Sequence, residues 1–320
     1  MRVRTDVRAV VSAGEGQPRP FRQIIVTQRK EGISLVDANQ VCNDLLHMTS
    51  TSTTHSRSFG NHQHAQLKRI YALRTREERQ RSGLYYVEGL RFIAQAVQHH
   101  IPIETLVTCH PLLNHPFAHR LIQQQKRSGT PIIEVPACVF RDLSRAKEPQ
   151  GIGAVVQQRW ERLEQIRPGS ELCWIALQAV QTPGNLGTIL RTAEAVGAAG
   201  VILLDKAADP YDPAAVRATM GAIFAQRCVR CDIVALQRWK RRHGYMLVGT
   251  SPTAPHDYHS ARYQKPTILL MGEERKGLPP ELQAQCDIMV SIPMTGEADS
   301  LNVAIATGIM LYEMYNQLRD

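Results

Sequence analysis

The sequence predicts an α/β protein in two parts: a mostly parallel sheet in the C-terminal half, preceded by a smaller α/β unit. Three observations carry this reading. Strand-like and helix-like segments alternate from residue 84 onward, which favours a mostly parallel sheet covered on both faces. A mixed-charge stretch at 159–170 ends in Pro-Gly-Ser and divides the alternation in two. Charge divides there as well: residues 65–158 hold 13 Lys and Arg against 7 Asp and Glu, whereas 159–320 hold 17 against 17.

Taken in order, residues 1–64 carry 8 basic against 5 acidic groups and no sustained period, and a poorly structured tail is expected. The apolar stretches Ile24 to Val26 and Ile33 to Val36 are short, and the run after Met48 is low in complexity. Met48 is an alternative start of translation, an expectation that peptides from 1–47 in a mass spectrum of the native protein would overturn. Residues 67–81 read as a basic helical stretch. A first α/β unit over 65–158 then takes strands at 84–87, 103–107, 131–135 and 153–156, with a helix at 116–127. Leu90, Ile93, Ala94 and Val97 recur at i, i+3, i+4 and i+7, the stripe of an amphipathic helix. After the linker at 159–170, a second unit over 171–320 alternates again. Its strands are read at 171–177, 200–204, 227–231, 245–250, 267–271 and 287–291. Its helices are read at 186–196, 213–223, 233–242 and from about 301.

Composition excludes several classes. With 320 residues and 43% hydrophobic content, the chain can fill two ordinary cores. No apolar run approaches the roughly 20 residues that a membrane span needs. Seven cysteines follow no secretory signal, so reduced thiols and a cytoplasmic setting are expected. Cys228 and Cys231 form a lone C-x-x-C, and no second pair completes a zinc set, so no metal is expected. The histidines at 55, 62 and 64 read as parts of a solvated tail. The basic surplus in the first part suits a polyanion, and Lys68, Arg69, Arg74, Arg76 and Arg79 are its densest cluster. Guanidiniums suit phosphate because their planar fork bonds two oxygens at once. A solvated helix face is the plain alternative, since Glu77 and Glu78 lie within reach.

Three segments place special residues where strands end, which is where open α/β sheets bind ligands. Gln181-Thr-Pro-Gly-Asn-Leu-Gly-Thr-Ile-Leu-Arg191 puts Gly184 and Gly187 where backbone can approach a ligand. Asn185 can cap its helix while offering an amide inward, and Arg191 projects away from the stripe of Leu186, Ile189, Leu190 and Ala193. Ile268-Leu-Leu-Met-Gly-Glu-Glu-Arg-Lys-Gly-Leu278 is a buried strand running into a polar loop. Ile292 through Ala304 is a loop that sets Ser300 and Asn302 at the start of the last helix. A glycine-rich turn with a surface Arg is the plain alternative for the first segment alone. No G-x-G-x-x-G or Walker pattern is present, which counts against a dinucleotide or NTP site.

Together, N-x-G-x-x-x-R, G-x-E-x-x-G-L and I-P-M-x-G-x-x-x-S-L-N-V-A resemble, in this order, the three motifs of the SpoU (TrmH) family of RNA methyltransferases. Ala215-Val-Arg-Ala-Thr-Met-Gly221 resembles a further segment of that family, with Thr219 in place of the usual Ser. Glu273 stands where Asn is frequent, and Arg275 where Gly is. Upstream, Tyr86-Val-Glu-Gly-Leu-Arg91 and Glu148-Pro-Gln-Gly-Ile-Gly153 resemble the RNA substrate-binding domain found in many members. That adds Arg91 to the expected RNA contacts.

The resemblance implies transfer of a methyl group from S-adenosylmethionine to a ribose 2′-hydroxyl. It implies a trefoil knot in the catalytic domain and a homodimer with the site near its interface. The cofactor would be held by backbone around Gly272, Ile292, Met294 and Leu301. Arg191 would act on the 2′-hydroxyl, Asn185 would orient Arg191 or the substrate, and Glu274, Ser300 and Asn302 would shape the site. A guanidinium is always protonated, so binding the adjacent phosphate and stabilising the developing alkoxide is the role its chemistry allows. Members with the extra domain more often modify ribosomal RNA, which makes 23S rRNA the first expectation and tRNA the second. An RNA-binding member without catalysis is the rival from another class, and a different α/β transferase that binds ATP or NAD is the next.

Overall fold

The computed structural model describes residues 24–28, 33–37 and 61–319. The chain divides into two units, 1–60 and 61–320. In the first, β1 (Ile24–Gln28) pairs antiparallel with β2 (Ile33–Asp37), so the two short apolar stretches are strands of a hairpin. Met48 and the histidine at 55 lie outside the described residues.

In the second unit, two helices come first, α1 (Asn61–Ala72) and α2 (Arg76–Ser82). The helical stretch at 67–81 is therefore broken. Thr75 caps α2 by accepting from the Glu78 amide at 3.3 Å, in a Thr-x-x-Glu pattern that starts a new helix. A four-stranded sheet follows, ordered β3 (Leu84–Glu88), β6 (Ile152–Gln157), β4 (Ile103–Thr108) and β5 (Ile132–Glu134). Only β4 and β5 run parallel. Its helices are α3 (Leu90–Gln98), α4 (Pro116–Arg127) and α5 (Ala137–Leu143). No element was expected at the last of these.

The second half is a seven-stranded sheet in which every pairing is parallel. Its strands are β7 (Trp174–Gln178), β8 (Gly200–Leu204), β9 (Cys228–Cys231), β10 (Met246–Thr250), β11 (His256–Asp257), β12 (Thr267–Met271) and β13 (Ile288–Ser291). The central strands β8 and β12 are buried along their whole length, as near-continuous apolar runs predict. The order is β11-β13-β10-β12-β7-β8-β9. The chain thus leaves β7 on one side through β8 and β9, then resumes on the other. That reversal sets the loops after β7 and β12 side by side. The helices are α6 (Pro183–Ala195), α7 (Pro213–Thr219), α8 (Ile233–His243), α9 (Pro280–Gln283) and α10 (Val303–Leu318). The helix read at 213–223 stops at Thr219, because Met220 and Gly221 take positive φ of 51° and 102°.

The halves share one core, in which Tyr85, Val87 and Ile93 pack with Leu186, Val216 and Phe224. The connecting segment is itself packed: Leu163 and Ile166 are buried, and Trp239 Nε1 donates to the Ile166 carbonyl at 3.3 Å. Gly221 faces the side chain of Gln95 on α3, where a Cβ would meet Oε1 at 1.6 Å. Only glycine satisfies both that approach and the positive φ. Among the described residues, no helix is long and apolar enough to cross a membrane.

Candidate active site

The loops that end β7 and β12 build the site. Gly272 begins the second loop, and a Cβ there would lie 2.2 Å from the carbonyl carbon of Gly277. The loop closes by paired bonds, Glu273 N to Gly277 O at 3.2 Å and Gly277 N to Glu273 O at 2.9 Å. Glu273 and Arg275 therefore leave intact a turn that rests on backbone, and Glu274 projects from it.

Glu274 accepts from three groups of the first loop and α6. The amides of Gln181 and Thr182 donate to Oε2 and Oε1 at 3.1 and 3.0 Å, and Asn185 Nδ2 donates to Oε1 at 3.1 Å. Asn302 Nδ2 in turn donates to Asn185 Oδ1 at 3.1 Å. Asn302 also caps α10, its Oδ1 accepting from the amides of Ala304 and Ile305 at 2.9 and 3.3 Å. One polar chain thus joins residues from all three sequence segments. The two backbone amides had no signal in the sequence, since their closeness to Glu274 follows from strand order.

Burial opposes the charge of Glu274, but its own amide, those of Gln181 and Thr182, and the side chain of Asn185 outweigh it and lower its pKa to about 2. A depressed carboxyl stabilises the fold above its unfolded value of about 4.3, and that stability is lost as pH falls toward the folded value. Glu274→Gln is expected to lower stability at pH 7 by about 1–2 kcal/mol, because an amide cannot accept from every donor there. Melts at neutral pH and near pH 2.5 check this: the gap between the proteins should narrow in acid, where the unfolded carboxyl is protonated and most of the stabilisation is lost.

Arg191, two turns along α6, is exposed, and among the described residues it makes no hydrogen bond or ion pair. Ser300 is exposed and, among the described residues, has no hydrogen-bond partner, standing two residues before Asn302. Ile292, Met294 and Leu301 are half-buried and Gly272 is buried. No backbone group from Pro293 to Leu301 has a hydrogen-bond partner among the described residues. Such a run of free donors and acceptors beside partly apolar side chains fits a ligand held by backbone.

Two expectations need correction. Arg79 cannot contact RNA: it is 2% exposed. Its Nε donates to Asp209 Oδ2 at 2.8 Å, Nη2 meets Asp212 at 3.5 Å, and Nη1 bonds the carbonyls of Leu73 and Arg74 at 3.0 and 2.9 Å. Gly187 does not face a ligand either, since a Cβ there would meet the Ala215 carbonyl at 2.3 Å. It is the contact point of α6 with α7.

The other basic residues stay at the surface or near it. Lys68 and Arg91 are exposed, and Arg69 pairs with Glu104 at 2.5 Å. Arg74 lies over the Tyr71 ring at 4.8 Å and donates to the Asp142 carbonyl. Half-buried Arg76 donates to the Ala207 carbonyl at 3.1 Å. Thr219 Oγ1 donates to the Val216 carbonyl at 2.7 Å and accepts from Gly221 N at 3.1 Å, which ends α7. Burial pushes the thiols of Cys228 and Cys231 up to about 12, so neither is a thiolate nucleophile at neutral pH.

Residues 173–312 match the SpoU rRNA Methylase family, and residues 64–154 match the MRM3-like substrate binding domain. The 23S rRNA (uridine(2479)-2′-O)-methyltransferase of Streptomyces viridochromogenes is 33% identical over 252 residues, covering 77% of this chain and 87% of its own. A crystal structure of an rRNA methyltransferase from Sinorhizobium meliloti with AdoMet bound superposes with a TM-score of 0.75. It is 36% identical and covers 83% of this chain and 99% of its own. The SpoU methyltransferase AviRb of S. viridochromogenes, in complex with AdoMet, gives a TM-score of 0.71 at 32% identity, over 79% of this chain and 97% of its own. With its three motif segments joined in one polar chain and this similarity running through both halves, the chain belongs to the SpoU family of RNA methyltransferases.

Proposed function

We infer that the chain methylates a ribose 2′-hydroxyl of 23S rRNA, using S-adenosylmethionine. The observation that carries this is the chain Asn302–Asn185–Glu274, with Arg191, unpartnered among the described residues, on the same helix as Asn185. When bound, S-adenosylmethionine supplies a methyl group made electrophilic by its sulfonium. The unbonded backbone between Ile292 and Leu301, with Gly272 and Met294, would hold it.

Arg191 binds the phosphate next to the target ribose and offsets the charge that grows on the 2′-oxygen as its proton passes to solvent. Glu274 stays ionised and fixes the first loop, Asn185 and through it Asn302. That holds the start of α6 rigid, and with it Arg191. Ser300 borders the cofactor loop.

Lys68, Arg69, Arg74, Arg76 and Arg91 contact phosphate in the binding domain, taken as 65–158, with 159–170 as its connection to the catalytic domain of 171–320. Phosphate contacts of this kind position the RNA without reading its sequence. A trefoil knot in the catalytic domain is supported by the strand order, with β10 between β13 and β12, and by the return of α10 onto α6. A homodimer is supported by α10, which exposes Ile305 at 55% and Tyr312 at 56%. A cytoplasmic location agrees with an rRNA substrate.

The substrate is tested by incubating the protein and labelled S-adenosylmethionine with unmodified 23S rRNA and with tRNA transcripts. Label is expected in 23S rRNA. Label in tRNA alone would keep the chemistry and overturn the substrate; label in neither, with RNA bound, would leave an RNA-binding member without catalysis.

A further inference from the structure

The segments around Glu88 and Gln150 lie apart from the catalytic loops, and they line a cavity of about 350 Å³ where the two halves meet. The opposite wall is the end of α7, through Val216, Arg217 and Met220. Leu73, Val87 and Phe92 make its interior apolar, while Arg74, Arg91, Arg145 and Arg217 stand around it. Among the described residues, Arg91, Arg145 and Arg217 have no ion pair and no side-chain hydrogen bond. Two carboxylates, Glu88 and Glu148, line the cavity as well, and Glu88 accepts from Ser144 Oγ at 2.6 Å. Burial raises the pKa of Glu88, against the opposing pull of Ser144, the Arg145 amide and Arg217.

Three uncommitted guanidiniums around an apolar cavity call for a ligand with an anionic group and a flat apolar body. A nucleotide has both, and a space of this size lies within the range of small-molecule sites. RNA is commonly read through bases unstacked from the chain and laid against aromatic or guanidinium planes. An acidic peptide would satisfy the arginines but leave the apolar walls unused.

The cavity also touches the catalytic helix through one element. Ala215 of α7 abuts Gly187 of α6, two residues from Asn185 and four from Arg191, and the other face of α7 forms the cavity wall. A ligand there would sit about one helix diameter from the catalytic helix.

We propose that this cavity binds one unstacked nucleotide of the substrate RNA, distinct from the nucleotide that is methylated. Its base lies against Phe92 and Val216, and its phosphate meets Arg91, Arg145 and Arg217. The proposal rests on the reading of the chain as an RNA methyltransferase.

Ala146→Trp fills the cavity without changing a charge, from an exposed position outside any helix or strand. Arg217→Ala removes one cation. With the full chain, 23S rRNA and S-adenosylmethionine, Ala146→Trp should raise KM for RNA about tenfold, the effect of losing one stacked base. Its Kd for S-adenosylmethionine should match that of wild type. Arg217→Ala should weaken RNA binding and flatten its dependence on log salt by about 0.7–0.9. A wild-type KM for Ala146→Trp overturns the cavity, even if Arg217→Ala is defective, because the arginines would then be surface phosphate contacts. A defect seen on ribosomal particles but not on naked RNA assigns the cavity to protein and overturns the nucleotide. If Ala146→Trp melts early, the Arg91→Ala/Arg217→Ala pair decides, and an unchanged salt slope overturns the proposal. A wild-type protein that methylates no RNA fails the underlying reading, which an active wild type with an unaffected Ala146→Trp does not.

Discussion

Arg191→Ala is expected to lower methyl transfer by about 10²–10³-fold or more, the usual loss when one preorganised charge at a reacting oxygen is removed. Affinity for S-adenosylmethionine should stay near wild type, because Arg191 lies on α6, outside the loops proposed to hold the cofactor. Stability should not fall either, since the side chain is exposed and, among the described residues, has no partner to strand. Arg191→Lys should restore little, as a point charge does not reproduce the planar fork on a phosphate. Single-turnover rates with calorimetric cofactor binding separate these effects. Comparable turnover by the alanine variant would remove Arg191 from the chemistry.

Arg79→Ala should act in the opposite way, on the fold before the reaction. Removing one partner of a buried pair leaves the other charge unpaired, at a cost of about 3–5 kcal/mol. Here Asp209, 5% exposed, would keep, among the described residues, one side-chain hydrogen bond, from the Tyr211 amide to its Oδ1 at 3.0 Å. The carbonyls of Leu73 and Arg74 would lose their donor as well. Arg79 ties α2 to the segment before α7, so the junction between the halves should loosen first. Thermal melts and hydrogen exchange at 205–219 check this. A variant that melts like wild type but binds RNA poorly would instead return Arg79 to the RNA surface.

Arg79 also marks where sequence reasoning ran out. Among Arg74, Arg76 and Arg81 it looks like one more surface cation, and its partner lies 130 residues away. Gly187 misled for a similar reason, since close approach to a ligand and close approach to Ala215 require the same residue. The break at Thr75 was legible in its Thr-x-x-Glu pattern but was masked by a longer helical stretch. Helix Ala137–Leu143 follows Pro136 with no side-chain cap, so nothing local announced it. What the sequence carried well was the parallel sheet, because strands such as Thr267–Met271 are buried on both faces and read as unbroken apolar runs. The motif segments were likewise visible, though not the bonds among them. Strand order alone brings Gln181 and Thr182 to Glu274.

The central claim is that the methyl group goes to a ribose oxygen. Label from S-adenosylmethionine incorporated into 23S rRNA should therefore survive alkaline hydrolysis within a dinucleotide, because a methylated 2′-oxygen cannot attack its neighbouring phosphate. Label recovered on a mononucleotide, released by alkali with its base modified, would contradict the account.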